Sequence, residues 1–300
     1  MFGLTRTKKF RGAVLHQRPP FAFPMIFDFL VVGGGGTIGA PNGGTYYSGG
    51  GGAGGLICSG QTYQGGGGSA EPSLILTQGQ SLVCTPAGET AVVNLGDDYD
   101  GDQGSNSTLV GAGYSFTALG GGKGGGIGAP YGGNPAVGGS GGGGGGNSTG
   151  AWNTGAAGTA NQGYGGGNAG SGSSFSGGGG GGAGGAGTSG NLQVGGNAGL
   201  GLEWIDGKVY AYGGRGAQGG NSGPIGSYAA NRPSGGAPNR GAGSGNTVGN
   251  DASGGACFGG AGVVIIAYSG SQIASGGTVT VLGSKTYHTF TVAGTFLVFV

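Results

Sequence analysis

The chain has 300 residues, of which 91 are glycine and 7% are charged, and its formal net charge is +1. Glycine near one third with only 11 prolines and no strict G-X-Y period excludes collagen, and the charge balance gives no electrostatic case for nucleic acid or an anionic membrane surface. The 12 Tyr, 12 Phe and 2 Trp argue against a flexible Gly/Ser linker, because disordered segments are poor in aromatics.

Residues 1–24 read as a basic, proline-ended arm carrying Lys8, Lys9, Arg11 and Arg18. Basic followed by apolar is the order of a signal peptide, but the apolar stretch holds Pro24 and Asp28 and runs into four glycines rather than a small-x-small cleavage site. A retained arm that docks the chain to a partner is the expectation. Residues 25–70 follow, with a strand at 26–32 (Ile-Phe-Asp-Phe-Leu-Val-Val), rich in aromatic and β-branched types, and then glycine runs at 33–36, 49–55 and 65–68.

Glycine thins out over 71–119, which reads as a small β insertion. Short strands are expected at 73–77, 81–85 and 90–94, joined by Gln-Gly-Gln and Pro-Ala-Gly turns, with one more at 109–119 after a polar loop. Within that loop lies the one acidic cluster, Asp97-Asp-Tyr-Asp-Gly-Asp102. Carboxylates at Asp98, Asp100 and Asp102 around Gly101 are a ligand set for a hard cation such as Ca²⁺. The spacing lacks the bidentate Glu of an EF-hand, which favours a solvated turn. No other cofactor is implied.

Residues 120–262 form the glycine body, with runs at 120–126, 138–146, 165–170, 177–187, 195–201, 213–216, 241–245 and 259–262. Ala183 and Ala186 stand three apart within one run, and three residues per turn is the period of the polyproline II type of helix. Polyglycine in that conformation has no internal hydrogen bonds, so buried runs must pair with neighbours in several directions. Ordering glycine is entropically expensive. The bundle therefore needs a clamp, and the apolar strands at both chain ends are suited to it: 26–32, and within the closing segment 263–300 strands at 263–268, 278–282 and 286–300. The expected fold is all-β and irregular: a bundle of polyglycine II helices clamped by short terminal β-strands, with a small β insertion and almost no α-helix. No segment is long and apolar enough to cross a membrane as a helix.

Motifs for catalysis are weak. Gly138-Gly-Ser140-Gly-Gly142 matches G-x-S-x-G without a following helix. Lys123, between Gly122 and Gly124, lacks the Ser or Thr of a P-loop. His16 and His288 have no acidic, Ser or Cys neighbour in sequence. The expectation is a non-enzymatic protein. The three cysteines, Cys58, Cys84 and Cys257, have no metal-like spacing and read as small buried apolar residues. The segments between glycine runs carry Tyr46, Tyr47, Tyr131, Trp152, Tyr164 and Tyr228 among Ser, Asn and Gly, as do Tyr63, Trp204, Tyr210 and Tyr212. Such rings either form adaptable ligand-binding loops or cap the ends of the bundle against water.

Three segments carry a family resemblance. Phe29-Leu-Val-Val-Gly-Gly-Gly-Gly36 resembles the strand leading into the glycine-rich domain common in bacteriophage tail-fibre and virion proteins, and Gly259-Gly-Ala-Gly-Val-Val-Ile-Ile-Ala-Tyr268 resembles the strand leading out. The segment 276–296 is similar to a hairpin that usually precedes the inbound strand in such proteins; here it stands at the C-terminal end. The body resembles the polyglycine II sandwich of T-even-type tail-fibre adhesins. The resemblance implies a virion role and, as in the adhesin members of the family, recognition of the host surface by loops at the bundle tip. It supplies no catalytic residues. The expectation is a tail-fibre or head-fibre component that contacts host-surface glycan or protein, with the arm docking it to other virion proteins. The hairpin's position implies that the last strand either folds back beside 26–32 or joins a neighbouring copy, making a homo-oligomer through terminal strands. The rival reading is a secreted, extracellular polyglycine protein, a self-assembling filament or an antifreeze.

Overall fold

The computed structural model describes residues 23–39, 48–91, 101–126, 133–146, 153–170, 176–191, 194–217, 239–245 and 258–299. Among them there is no α-helix, only a single 3-10 turn at Gly65–Gly67, and the chain is nearly all β. In chain order the strands are β1 (Met25–Val32), β2 (Leu56–Cys58), β3 (Leu74–Leu76), β4 (Ser81–Thr85), β5 (Thr90–Ala91), β6 (Ser107–Gly111), β7 (Tyr114–Ala118) and β8 (Leu202–Glu203). After these come β9 (Val209–Tyr210), β10 (Phe258–Gly259), β11 (Val263–Ser269), β12 (Ala274–Ser275), β13 (Thr278–Leu282), β14 (Lys285–Phe290) and β15 (Gly294–Val298).

Two antiparallel sheets carry most of them. The first has the order β13-β14-β11-β1-β2, with β3 also on β1. The second has the order β12-β15-β4-β6-β7. At the centre, β1 and β11 pair with Asp28 opposite Ala267 and Val32 opposite Val263. β2 and β3 run end to end along the far edge of β1, from Leu56 opposite Val32 to Leu76 opposite Met25. β5 pairs with β10, and β8 with β9.

From Phe29 to Val32 on β1 and from Val263 to Tyr268 on β11 both faces are buried, as these continuous apolar runs require. Phe27, Phe29 and Val31 on β1, with Val264, Ile266 and Tyr268 on β11, face the second sheet and meet Leu82, Cys84, Leu109, Phe296 and Val298. Phe27 sits edge-on to both Tyr268 and Phe296, with ring centroids 5.2 and 5.5 Å away, a geometry that suits the ring quadrupole. The other face, with Leu30, Val32, Val263, Ile265 and Ala267, packs against Ala53, Ala183, Trp204 and Tyr210 of the glycine body. Asp28, the one charge on β1, accepts from Lys285 Nζ and Ser73 Oγ, each at 2.8 Å.

The glycine runs hydrogen-bond with a period of three. In the run 49–55, Gly49, Gly52 and Gly55 donate to Gly125, Gly122 and Leu119; Gly50 and Ala53 donate to Gly178 and Gly181; Gly51 and Gly54 donate to Ser244 and Gly241. The same run accepts from Gly33 and Gly36, from Ser140 and Gly143, and from Gly214. It is thus bonded on all sides. The run 177–183 repeats the scheme: Gly177, Gly180 and Ala183 donate to Ala217, Gly214 and Ala211, while Gly178 and Gly181 donate to Gly144 and Gly141. Close approach explains the composition. A Cβ on Gly51 would fall onto the carbonyl oxygen of Gly36, and one on Gly180 onto that of Gly51. Ala53 and Ala183 occur where the run faces the apolar core instead.

Several expectations need correcting. The single strand expected at 109–119 is a hairpin, β6 and β7, turned at Ala112 and Gly113, both with positive φ. The single strand expected at 286–300 is two. The chain bends at residues 291–293, leaving β14 in the first sheet and β15 in the second. Val292 is accordingly exposed, together with Thr291 and Ala293 beside it. The last strand therefore does not lie beside 26–32. β14 pairs with β11, and β15 lies between β12 and β4, with Phe296 opposite Leu82. The β insertion and the chain end thus share one sheet.

Candidate functional site

Of the aromatic residues expected to form binding loops, Tyr46, Tyr47, Tyr131, Trp152 and Tyr228 lie outside the described residues, as do the arm residues Lys8, Lys9, Arg11 and Arg18. Tyr164 is half-buried; its amide donates to Gly182 and its carbonyl accepts from Gly141, so its backbone belongs to the bundle. Its hydroxyl closes over Gly67. Tyr63 is exposed, on the 59–73 excursion between β2 and β3.

Trp204 and Tyr210 are core residues, buried between the first sheet and the glycine body rather than set at a bundle end. The β8–β9 hairpin lays both over the second face of β1 and β11. Trp204 is 2% exposed, donates its indole N–H to the Ser59 carbonyl at 3.0 Å, and meets the Tyr287 ring edge-on. Tyr210 donates to Asp206 Oδ2 at 2.7 Å. Burial, and then the Asp206 carboxylate, raise the Tyr210 phenol well above its ordinary range. Lys208 pairs with the same carboxylate at 3.4 Å.

Asp98 and Asp100 of the acidic cluster lie outside the described residues. Asp102 is half-buried, and its backbone is tied to Thr37. Its carbonyl accepts from the Thr37 amide at 2.8 Å, and its amide donates to Thr37 Oγ1 at 2.6 Å. Among the described residues no three His, Cys, Asp or Glu side chains converge to hold a metal ion. Ser140, in the G-x-S-x-G match, sits fully buried in an extended run, and its Oγ has no hydrogen-bond partner among the described residues. Cys58 and Cys84 are free and buried, and burial pushes each thiol up to about 12. Cys257 and His16 lie outside the described residues.

His288 has partners that its sequence neighbours do not reveal. It is 0% exposed between the two sheets. Its Nδ1 lies 2.7 Å from the Gly276 carbonyl, which can only accept, so Nδ1 carries the proton. Nε2 then accepts from the Tyr268 hydroxyl at 2.9 Å, and the Tyr268 oxygen accepts from the Ile273 amide at 3.1 Å. The Phe296 ring stands edge-on to the imidazole at 5.0 Å. Burial lowers the His288 pKa, with the Gly276 bond partly opposing it, so the ring is neutral at physiological pH. Every polar atom of the imidazole is satisfied, and the arrangement locks β14 to β11 and to the 270–276 turn.

The exposed face of the second sheet is the other feature that the residue list alone conceals. Thr85, Thr108 and Thr117 form one cross-strand row, and Thr295, Val83, Val110 and Ser115 form the next. Neither row holds a charge. The signal was present in the alternation of Ser81-Leu-Val-Cys-Thr85, whose outward positions are Ser, Val and Thr. Among the described residues no helix is long and apolar enough to cross a membrane.

A family model for a glycine-rich domain matches residues 21–269, from just before β1 to the last residue of β11. The match therefore opens and closes on the two strands that pair at the centre of the first sheet. No curated protein and no solved structure matches the chain. With most of its length inside the match, the chain belongs to the glycine-rich domain family.

Proposed function

We propose that this chain is a non-enzymatic structural protein of a bacteriophage virion, a tail-fibre or head-fibre component that takes part in host-surface attachment. The observation that carries this reading is the period-three hydrogen bonding of the glycine runs, on all sides of the run 49–55. That pattern fits polyglycine II helices packed side by side. A body bonded in three directions through its backbone is a stiff spacer, and stiffness with little side-chain chemistry suits display. The connections between runs supply the side chains: Tyr46, Tyr47, Tyr131, Trp152, Tyr164 and Tyr228 would meet a host glycan or protein. The arm at 1–24, with Lys8, Lys9, Arg11 and Arg18, would dock to other virion proteins.

Cryo-electron microscopy of the purified particle whose genome encodes this chain tests the reading. The expected result is density for the glycine body on the particle, with residues 1–24 against another subunit. Particles from which mass spectrometry recovers no peptide of the chain would overturn it. Alanine at Tyr131 and Trp152 is expected to slow adsorption to host cells while leaving particle assembly unchanged.

One observation favours the second reading, a secreted protein acting at an extracellular surface. The outward rows of the second sheet, Thr85-Thr108-Thr117 and Thr295-Val83-Val110-Ser115, are uncharged and regular. For the antifreeze form of that reading, thermal hysteresis of the purified chain is the deciding measurement, and a null result removes that form.

A further inference from the structure

The sheet edges are treated unequally. At β2, the Cys58 amide donates to Gln64 Oε1, its carbonyl accepts from Glu71, and the Leu56 amide donates to the Gln162 carbonyl. At β3, the Ile75 amide donates to the Tyr114 hydroxyl at 3.0 Å. At the end of β7, Gln162 takes the Leu119 amide on Oε1 and gives Nε2 to the Thr117 carbonyl. At β12, Gln272 Nε2 donates to the Ala274 carbonyl at 2.9 Å. Each of these edges meets a side chain or a neighbouring run at one or more of its amides or carbonyls.

β13 is the exception. It ends the first sheet and pairs only with β14, from Thr278 opposite Thr289 to Leu282 opposite Lys285. Among the described residues no hydrogen bond reaches the outer side of this strand. The turn that follows has Gly283 at φ +61, the left-handed value that a two-residue hairpin requires at its first central position. Leu282 and Lys285 flank this turn and form its bonded pair, so the amides and carbonyls of Val281 and Val279 point away from β14. The side chains are equally bare: Val281 is 67% exposed and Leu282 58%. The devices that blunt a natural edge are a charge, a proline, a bulge or a cover. Thr278-Val-Thr-Val-Leu282 has none of the first three, its register with β14 is unbroken, and nothing described covers it.

We infer that β13 is the contact through which two copies of this chain join, edge to edge and antiparallel, so that the first sheet runs on from one copy into the other. The strand fits itself. A two-fold axis through Thr280 sets Val279 opposite Val281 and Thr278 opposite Leu282, matching β-branched and apolar side chains with no charge to oppose. The terminal strand β15 cannot serve instead, because β12 and β4 occupy its two sides. The inference stands apart from the virion reading: a particle lacking the chain would leave it intact, and a monomeric chain would leave the virion reading intact.

Sedimentation velocity on the full chain across a micromolar concentration series tests it, comparing the unmodified protein with Val281→Lys and Val110→Lys. Val110 lies on the exposed face of the other sheet and serves as the control. The expected result is a dimer for the unmodified chain and for Val110→Lys, and at least about tenfold weaker dimerisation for Val281→Lys, because two lysines would face an apolar pairing. An unmodified chain that stays monomeric throughout, or a Val281→Lys chain that dimerises like the unmodified one, overturns the inference. Hydrogen exchange keeps the test decisive if Val281→Lys fails to fold. In the unmodified protein the Val279 and Val281 amides should gain protection as concentration rises, and fast exchange at every concentration would equally overturn it.

Discussion

The apolar sandwich and the glycine body meet along β1 and β11, and both must bury main-chain N–H and C=O groups with all of them paired. In the sandwich each strand spends its bonds on two neighbours in one plane, and its side chains fill the space between planes. In the body each run spends its bonds in three directions, and no side chain fits between runs. The sandwich stores its stability in side-chain packing and can adjust rotamers. The body has no rotamers to adjust, so a single methyl group in the wrong place must move backbone.

Mutations at matched burial separate the two kinds of interior. Gly180→Val directs its Cβ onto the Gly51 carbonyl oxygen and should cost more than about 5 kcal/mol, the range of exceptional substitutions. Loss of soluble folded protein, read by circular dichroism, is the expected outcome. Phe27→Ala empties the space between Tyr268 and Phe296 and should cost about 3–5 kcal/mol, measured by urea unfolding. If Gly180→Val costs less than Phe27→Ala, the body is more compliant than its bonding implies.

The His288 lock sharpens the comparison, since it is a polar device inside the sandwich. Tyr268→Phe leaves Nε2 of His288 and the Ile273 amide without partners and should cost about 1–3 kcal/mol. The lock also fixes a pH response. His288 has its pKa lowered in the folded state from an ordinary value near 6.5, so below that value the unfolded chain binds a proton that the folded chain resists. Its contribution is fully present above about pH 6.5 and is lost as pH falls toward the folded value, with a slope of at most about 1.4 kcal/mol per pH unit. Melting temperatures between neutral and mildly acidic pH should show this slope, and His288→Gln should flatten it. The smallest effect is expected within a run. Ala53→Gly removes a methyl from the apolar side and adds backbone freedom, for about 1 kcal/mol.

The sandwich was the more legible part. The β-branched and aromatic runs at 26–32, 81–85, 263–268 and 278–282 are strands at nearly the bounds their composition predicts. What composition does not carry is partner choice and direction. Thr289-Phe-Thr-Val292 alternates as a continuing strand would, and only the change of sheet explains why Val292 faces water. Ala112 reads as strand because alanine rarely takes a positive φ, yet Gly113 beside it makes the turn. In the body, Ala183 and Ala186 stand three apart, but the chain bends at 183–185 and Ala186 is exposed, so their spacing does not mark the bonding period seen in 49–55 and 177–183. Which run borders which depends on contacts as distant as Gly51 with Ser244, and glycine repeats carry no side-chain code to specify them. The Tyr268–His288 bond was silent for the same reason: two isolated polar residues become partners only once β11 and β14 pair.

The three-way bonding of the runs also sets a rule for insertions and deletions. In a flat strand, removing one residue turns the following side chains to the opposite face, and removing two restores them. In the run 49–55, removing one residue would rotate each later donor by a third of a turn, aiming the amide that reached Gly122 at a different neighbour. Only a change of three residues returns every amide to its own column. Changes in the length of such runs should therefore be tolerated in steps of three residues, nine nucleotides of coding sequence.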